Sequence, residues 1–159
     1  MMRLWIGLMG FIFSTVVLSV TDVPKSCHML SNITNNAVLK RDNTMTYLIK
    51  NISDQQLWLT HPNEDLGASA GWTSQLDAGR WSAIHLEKNK EAFTLNCIET
   101  KPGREQQIPC RGVLIVCGDA KMKAPDDLAS SFWAGENLPF DELINHLKGR
   151  GFSIPQSHE

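Results

Sequence analysis

Short apolar runs separated by polar, turn-forming residues are the main structural signal in the middle of this sequence. Runs rich in Tyr, Ile, Leu, Trp, Phe and Val recur at intervals of about 8–12 residues, the spacing of strands in a sandwich or barrel. The predicted strands cover residues 44–50, 56–60, 71–76, 80–87, 91–99 and 112–118. The pattern therefore predicts a mainly β fold, an antiparallel β-sandwich or barrel-like domain.

Turn-forming residues separate these runs. Asp77-Ala78-Gly79 predicts a three-residue hairpin loop, because the last position of such a loop needs a positive φ, which glycine adopts without steric cost. Pro102-Gly103-Arg104 predicts a second hairpin, between residues 93–100 and residues 110–117.

The end of the chain has helical periodicity instead. Apolar residues recur at helical spacing up to Leu147, Pro139 suits a first turn, and Asp141 and Glu142 suit the positive end of a helix dipole. Gly149 is the predicted stop. We expect one α-helix at about residues 139–148, within a single domain that covers residues 22–159.

Four cysteines follow the N-terminal region: Cys27, Cys97, Cys110 and Cys117. Four cysteines permit three disulfide pairings. A zinc site is a poor alternative, because Cys110 and Cys117 are seven residues apart with no histidine between them. In the second hairpin, a turn centre between residues 103 and 104 places Cys97 opposite Cys110. This register predicts Cys97–Cys110 and Cys27–Cys117, hence a disulfide-stapled domain in an oxidising compartment.

The first residues have the order of a secretory signal peptide. Arg3 precedes an uncharged apolar run, and Val17 and Ser19 occupy the −3 and −1 positions of the best cleavage frame. The alternative is an uncleaved anchor helix, but the apolar run is shorter than the roughly 20 residues that a membrane span needs. The sequence predicts a signal peptide over residues 1–19, no stable membrane span after cleavage, and a periplasmic or secreted protein.

The charge balance argues against one large class of partner. The chain of 159 residues has 15 Lys and Arg against 17 Asp and Glu, a formal net charge of −2. No strong positive field is available to attract phosphates, so nucleic acid is not an expected partner.

Catalytic and metal-binding patterns are weak. Gly67-Ala68-Ser69-Ala70-Gly71 matches the G-x-S-x-G pattern of serine hydrolases, but that motif needs a helix after the serine, and a predicted strand follows here. His61 and His85 are the one histidine pair that could meet across strands. We therefore predict no catalytic residue, no cofactor and no metal, with a small secreted hydrolase that uses Ser69 as the alternative function.

Tryptophans are the remaining candidates for binding, with core packing as the alternative role: they are Trp58, Trp72, Trp81 and Trp133. Trp72 adjoins the glycine-bounded loop and Arg80 follows a turn, so these two are the candidate partner-binding residues, for an envelope or host-surface protein or a glycan. Trp81, inside a predicted strand, is expected in the core.

Seven short segments resemble the enhanced entry protein EnhB group, small exported proteins of intracellular bacteria such as Legionella and Coxiella. The resemblance covers about residues 44–154 and includes the cysteine positions. It implies a non-catalytic envelope or secreted protein associated with entry into host cells, and it assigns no catalytic residue. The segments are Gly71-Trp72-Thr73-Ser74, Arg80-Trp81-Ser82-Ala83, Cys97-Ile98-Glu99, Pro109-Cys110, Val116-Cys117, Phe132-Trp133-Ala134-Gly135-Glu136 and Gly149-Arg150-Gly151-Phe152.

The cleavage frame gives a direct prediction about the mature protein. Its first residue should be Val20, because signal peptidase cuts after a small residue at −1 with a small or aliphatic residue at −3. N-terminal sequencing of the protein from the envelope or secreted fraction measures this. An intact Met1 in that fraction would instead mean an anchored protein.

Overall fold

The computed structural model describes residues 27–40, 46–61, 73–86, 92–101, 104–126 and 133–155. The described residues form an antiparallel β-sandwich with a C-terminal helix and two disulfides, as the sequence predicts, rather than a closed barrel. The elements are β1 (His28–Met29), β2 (Asn36–Lys40), β3 (Thr46–Asn51), β4 (Leu57–Thr60), β5 (Thr73–Leu76), β6 (Trp81–His85), β7 (Ala92–Lys101), β8 (Arg104–Ile108), β9 (Leu114–Gly118), β10 (Trp133–Leu138) and α1 (Phe140–Gly149). The signal peptide prediction lies outside the described residues.

The strands form two sheets. Sheet A has the order β1-β9-β3-β6-β10, and sheet B has the order β2-β7-β4-β5. Strand β8 pairs with the second half of β7 while β2 pairs with its first half, so β2 and β8 lie end to end along the same edge of β7. Every strand pair within the two sheets is antiparallel.

Alternate residues of both sheets face inwards and form the first core. Leu57 and Leu59 of β4 and Phe93 and Leu95 of β7 belong to this cluster, and Ile49 of β3 is among the residues that sheet A contributes. All five side chains are almost completely buried. Their spacing of two residues along each strand follows from strand geometry, in which successive side chains point to opposite faces of the sheet.

A second core lies on the outer face of sheet A, which makes sheet A the middle layer of three. Helix α1 covers this face with Leu143 and Leu147, which share a cluster with Leu48 and Trp81. Trp81 is only 1% exposed, as expected of a core residue. Its ring is tilted against Phe140, with the centroids 5.1 Å apart.

Helix α1 ends differently from the prediction. Gly149 is still helical, and the left-handed residue is Gly151, with φ 87°. Gly151 N–H donates to the Lys148 carbonyl and Phe152 N–H donates to the Leu147 carbonyl, both at 3.0 Å. This pattern is a Schellman motif, and it also brings the apolar Phe152 back onto the second core beside Leu147.

Both predicted hairpins need correction. Gly79 has the expected positive φ of 72°, but the turn joins β5 in sheet B to β6 in sheet A, so it is a crossover and not a hairpin. In the second case β7 does pair with the strand that follows it, from Lys101 opposite Arg104 onwards, but that strand is β8. Strand β8 was not predicted, because its first four residues, Arg-Glu-Gln-Gln, are polar and exposed. The predicted strand over 112–118 is β9, which lies in the other sheet.

The two predicted disulfides are present even though the predicted register is two residues off. Cys97 lies opposite Ile108, and the chain reaches Cys110 just beyond β8, where it crosses towards sheet A. The second bond joins Cys27, next to β1, to Cys117 of β9. Both pairs have Cα atoms 5.3 Å apart. The Cys97–Cys110 bond therefore anchors the crossover after β8, and the Cys27–Cys117 bond anchors the two-residue edge strand β1.

Close contact between α1 and β10 predicts the effect of two glycine substitutions. A Cβ at Gly135 would overlap Leu143 Cδ1, and Leu143 is fully buried, so Gly135→Ala should lower the free energy of unfolding by about 1–3 kcal/mol. Gly149→Ala is the matched control, because a Cβ there meets nothing within 4 Å and the residue is helical. Chemical denaturation measures both. Equal stabilities for the two variants would contradict this packing.

Candidate functional site

The outward side of sheet B carries a flat array of side chains that is the best candidate for a binding site. Because inward and outward residues alternate, the array follows directly from the strand register. We call these residues the polar face: Asn36, Val38 and Lys40 of β2, Trp58 and Thr60 of β4, Thr73 and Gln75 of β5, Ala92, Thr94, Asn96, Ile98 and Thr100 of β7, and Glu105 and Gln107 of β8.

Trp58 has a central place in this face. It lies opposite Ile98 of β7 on one side and opposite Gln75 of β5 on the other, and Gln107 of β8 lies beyond Ile98. Trp58 is partly exposed and belongs to neither core cluster. The next row places Asn36, Asn96 and Thr60 side by side.

Amides and hydroxyls dominate the polar face. Its two charged residues are Lys40, at the end of β2, and Glu105, near the hairpin at the end of β7. They lie at opposite ends of the array, because β2 pairs with the first half of β7 and β8 with the second. The centre therefore offers hydrogen-bond donors and acceptors without a net charge.

Of the two predicted partner-binding residues, the structure describes Arg80 alone, and Arg80 is not on this face. Trp72 lies outside the described residues, as does Ser69 of the alternative hydrolase. Arg80 is half-buried at the crossover between β5 and β6, where its N–H donates to the Asp77 carbonyl at 3.0 Å. The positive charge of the Arg80 guanidinium is one of the causes that lower the pKa of the Asp77 carboxyl group.

The Asp77 side chain joins the edge strands of the two sheets. Asn137 Nδ2 donates to Asp77 Oδ2 at 3.0 Å, and the Asp77 N–H donates back to Asn137 Oδ1 at 2.8 Å. Asn137 adopts a left-handed φ of 50° at the irregular end of β10. Gln56 and Gln75 also donate to Asp77 Oδ1. Hydrogen bonds from Asn137, Gln75 and Gln56, with the charge of Arg80, lower the pKa of Asp77.

The two histidines that could have paired lie in different layers. His61 follows β4 of sheet B and stacks on Phe93 at a centroid distance of 4.0 Å. His85 is on the outer face of sheet A, where its Nδ1 lies 2.9 Å from the Thr46 hydroxyl and its ring meets the edge of Phe152. The described part of the chain holds no cluster of three or more potential metal ligands.

A groove, separate from the polar face, lies where the chain crosses from β8 to β9. This groove has a volume of about 470 Å³ and is lined by residues 30–34 together with Arg111, Gly112 and Leu114. Arg111 N–H donates to the Thr34 carbonyl at 2.9 Å, so backbone contacts hold its two walls together. It is wide open, and the exposed Arg111 is its one charged residue.

Trp58 was one of four candidate tryptophans in the sequence but was not among the predicted partner-binding residues, and its neighbours were not predicted, although a signal was present. In Leu57-Trp58-Leu59-Thr60 the leucines take the inward positions, which leaves Trp58 outward. In β7 the outward residues Thr94, Asn96 and Ile98 alternate with the buried Phe93, Leu95 and Cys97. Alternation alone could have marked these side chains as outward, but only the register shows that they are neighbours.

The chain was also compared with known proteins. It matches no protein-family model, no curated protein and no solved structure. The resemblance to the EnhB group therefore stays a prediction.

The low pKa of Asp77 predicts a pH-dependent contribution to stability. A lowered pKa in the folded state stabilises the protein above the ordinary value of 3.8, and this stabilisation is lost as the pH falls through the lower folded value. Asp77→Asn should remove that part of the pH dependence. The effect should be modest, because Asp77 is largely solvated. Urea denaturation between about pH 2.5 and 6 measures it.

Asn137→Gly is the companion variant for this measurement. It removes the amide that acts most strongly on Asp77, and glycine tolerates the positive φ. It should therefore flatten the same part of the stability curve. A pH dependence identical to wild type in both variants would show that Asp77 contributes nothing.

Proposed function

We propose that this chain is an exported, non-catalytic binding protein of the bacterial envelope or the secreted fraction, which recognises its partner through the polar face. Association with entry into host cells is the biological context that the resemblance to the EnhB group implies. The observation that carries the proposal is the uncharged array of side chains around Trp58 on sheet B.

Two disulfides support an extracytoplasmic location. Both join buried or partly buried cysteines, and disulfides persist in oxidising compartments, whereas cytosolic thiols are kept reduced. Among the described residues there is no helix of the length and apolarity that crossing a membrane requires. The predicted signal peptide over residues 1–19 and cleavage near Ser19 account for export.

The character of the polar face favours binding over catalysis. A hydrolytic site needs a nucleophile and a base within hydrogen-bond reach, with a charge-stabilising group close by. On the polar face the two charged residues, Lys40 and Glu105, lie at opposite ends, and the residues between them are amides, hydroxyls and apolar side chains. Such groups provide complementary hydrogen bonds to a partner.

A pair of charge-introducing variants tests the proposal. Asn96→Glu places a charge at the centre of the polar face, whereas Asn145→Glu makes the same change on the exposed surface of α1. Purified mature protein should bind to isolated envelopes or host-cell surfaces, and Asn96→Glu should lower that binding by about tenfold, because a buried unpaired charge is costly in an interface. Asn145→Glu should bind like wild type. Sedimentation with envelopes and flow cytometry with host cells measure these two effects.

Two outcomes would contradict the proposal. Equal binding by Asn96→Glu and wild type, with equal melting temperatures, would remove the polar face as the site. Loss of a hydrolytic activity in Ser69→Ala, without unfolding, would favour the alternative function of a small secreted hydrolase.

A further inference from the structure

We infer that the ligand of the polar face is a neutral carbohydrate, an oligosaccharide without acidic groups, with Trp58 as the surface on which one sugar ring stacks. This inference rests on the proposed function, because it names the ligand class of the same face. The observations behind it are the position of Trp58, the free amides around it and the distribution of charge.

Trp58 is the one aromatic residue of the polar face, and it occupies an inner strand of sheet B. Because it belongs to neither core cluster, its side chain is not required to fill the sandwich interior. The C–H faces of pyranose rings are apolar, and aromatic rings are the protein groups that stack on them while their polar edges remain wet. A partly exposed tryptophan in the middle of a flat polar array suits that interaction.

Three amides of the polar face have unused hydrogen-bonding capacity: Asn96 lies diagonally across from Trp58 on β7, and Asn36 and Gln107 lie one strand further away. Within the described residues, the side chains of Asn36, Asn96 and Gln107 make no hydrogen bond to other protein groups. Each amide offers both donors and acceptors, and so does each sugar hydroxyl. Asn96 can therefore pair with hydroxyls of a ring stacked on Trp58, and Asn36 and Gln107 with hydroxyls of the sugar units next to it.

The array also has the length for several sugar units. Gln107, Ile98, Trp58 and Gln75 form one row across four strands. Strands lie about 4.8 Å apart, so the row spans about 14 Å. This length suits a short oligosaccharide better than a single sugar.

The composition of the polar face favours a neutral carbohydrate over anionic ligands and over a protein partner. Sulfated glycans, acidic peptides and nucleic acids need clustered cations, and Lys40 is the one cation of the face, at its end. A protein partner is best matched by a contiguous apolar centre with a few aromatic anchors. Here Trp58 and Ile98 adjoin each other, but Asn, Gln and Thr residues make up most of their surroundings.

A disulfide on the core side of β7 also restrains the polar face. Cys97 lies between Asn96 and Ile98 on β7, faces the core and is bonded to Cys110. A fixed array loses little conformational freedom on binding, and that favours affinity for a weakly held ligand such as a sugar.

A glycan array with matched variants tests the inference. The probes are four-unit oligosaccharides of glucose, mannose, galactose and N-acetylglucosamine, with heparin as the anionic comparison, followed by calorimetry on the best neutral probe. We expect wild type to bind at least one neutral probe better than heparin. Trp58→Ala should weaken that binding by about tenfold or more, and Trp58→Phe should retain most of it. Asn96→Ala should weaken it by a smaller factor, which keeps the test valid if Trp58→Ala fails to fold.

Arg111→Ala is the control, because Arg111 lies in the groove beside β9 and not on the polar face. No neutral probe bound by wild type, stronger binding of heparin, or a loss caused by Arg111→Ala but not by folded Trp58 and Asn96 variants would each overturn the inference. If neutral probes fail while Asn96→Glu still lowers binding to envelopes or cells, the proposed function stands and the ligand is of another class. If Asn96→Glu has no effect in either assay, both proposals fail.

Discussion

Burial of sheet A on both faces is the constraint on which the remaining structure depends. Strand β6 is buried at every position, and β3 at every position except Lys50. An antiparallel sheet with two dry faces needs a partner on each side. Sheet B covers one side and α1, with the segments that flank it, covers the other.

This layering leaves sheet B with one face for the core and one for solvent. Its inward residues are committed to packing, whereas its outward residues carry no packing role in either core cluster. The amino acids on the outward side are therefore under a weaker structural constraint. A concentration of amides and threonines around one tryptophan is the reason that we place recognition there.

Polar contacts and covalent bonds hold the three layers in register. Asp77 and Asn137 join the edges of the two sheets, and the Cys97–Cys110 bond anchors the crossover from β8 towards β9. In the same edge strand of sheet A, β10, the carbonyls of Trp133 and Ala134 accept hydrogen bonds from Arg150 Nη1 at 3.1 and 2.7 Å. These bonds connect loops and edge strands, the parts of a sandwich that apolar packing secures least.

Local patterns in the sequence determined the fold class, the helix and the chemistry of several turns. The strand-forming apolar runs, the apolar spacing before Leu147 and the positive φ of Gly79 depend on local sequence and backbone geometry, so one chain suffices to predict them. Only the tertiary structure decided which strands are neighbours. The polar strand β8 forms because a tight hairpin aligns it with β7, and the Asp77 turn crosses between sheets because its two strands pack in different layers. The polar face has the same origin. Trp58, Asn96 and Gln75 are far apart along the chain, and strand register, which depends on distant contacts, brings them together.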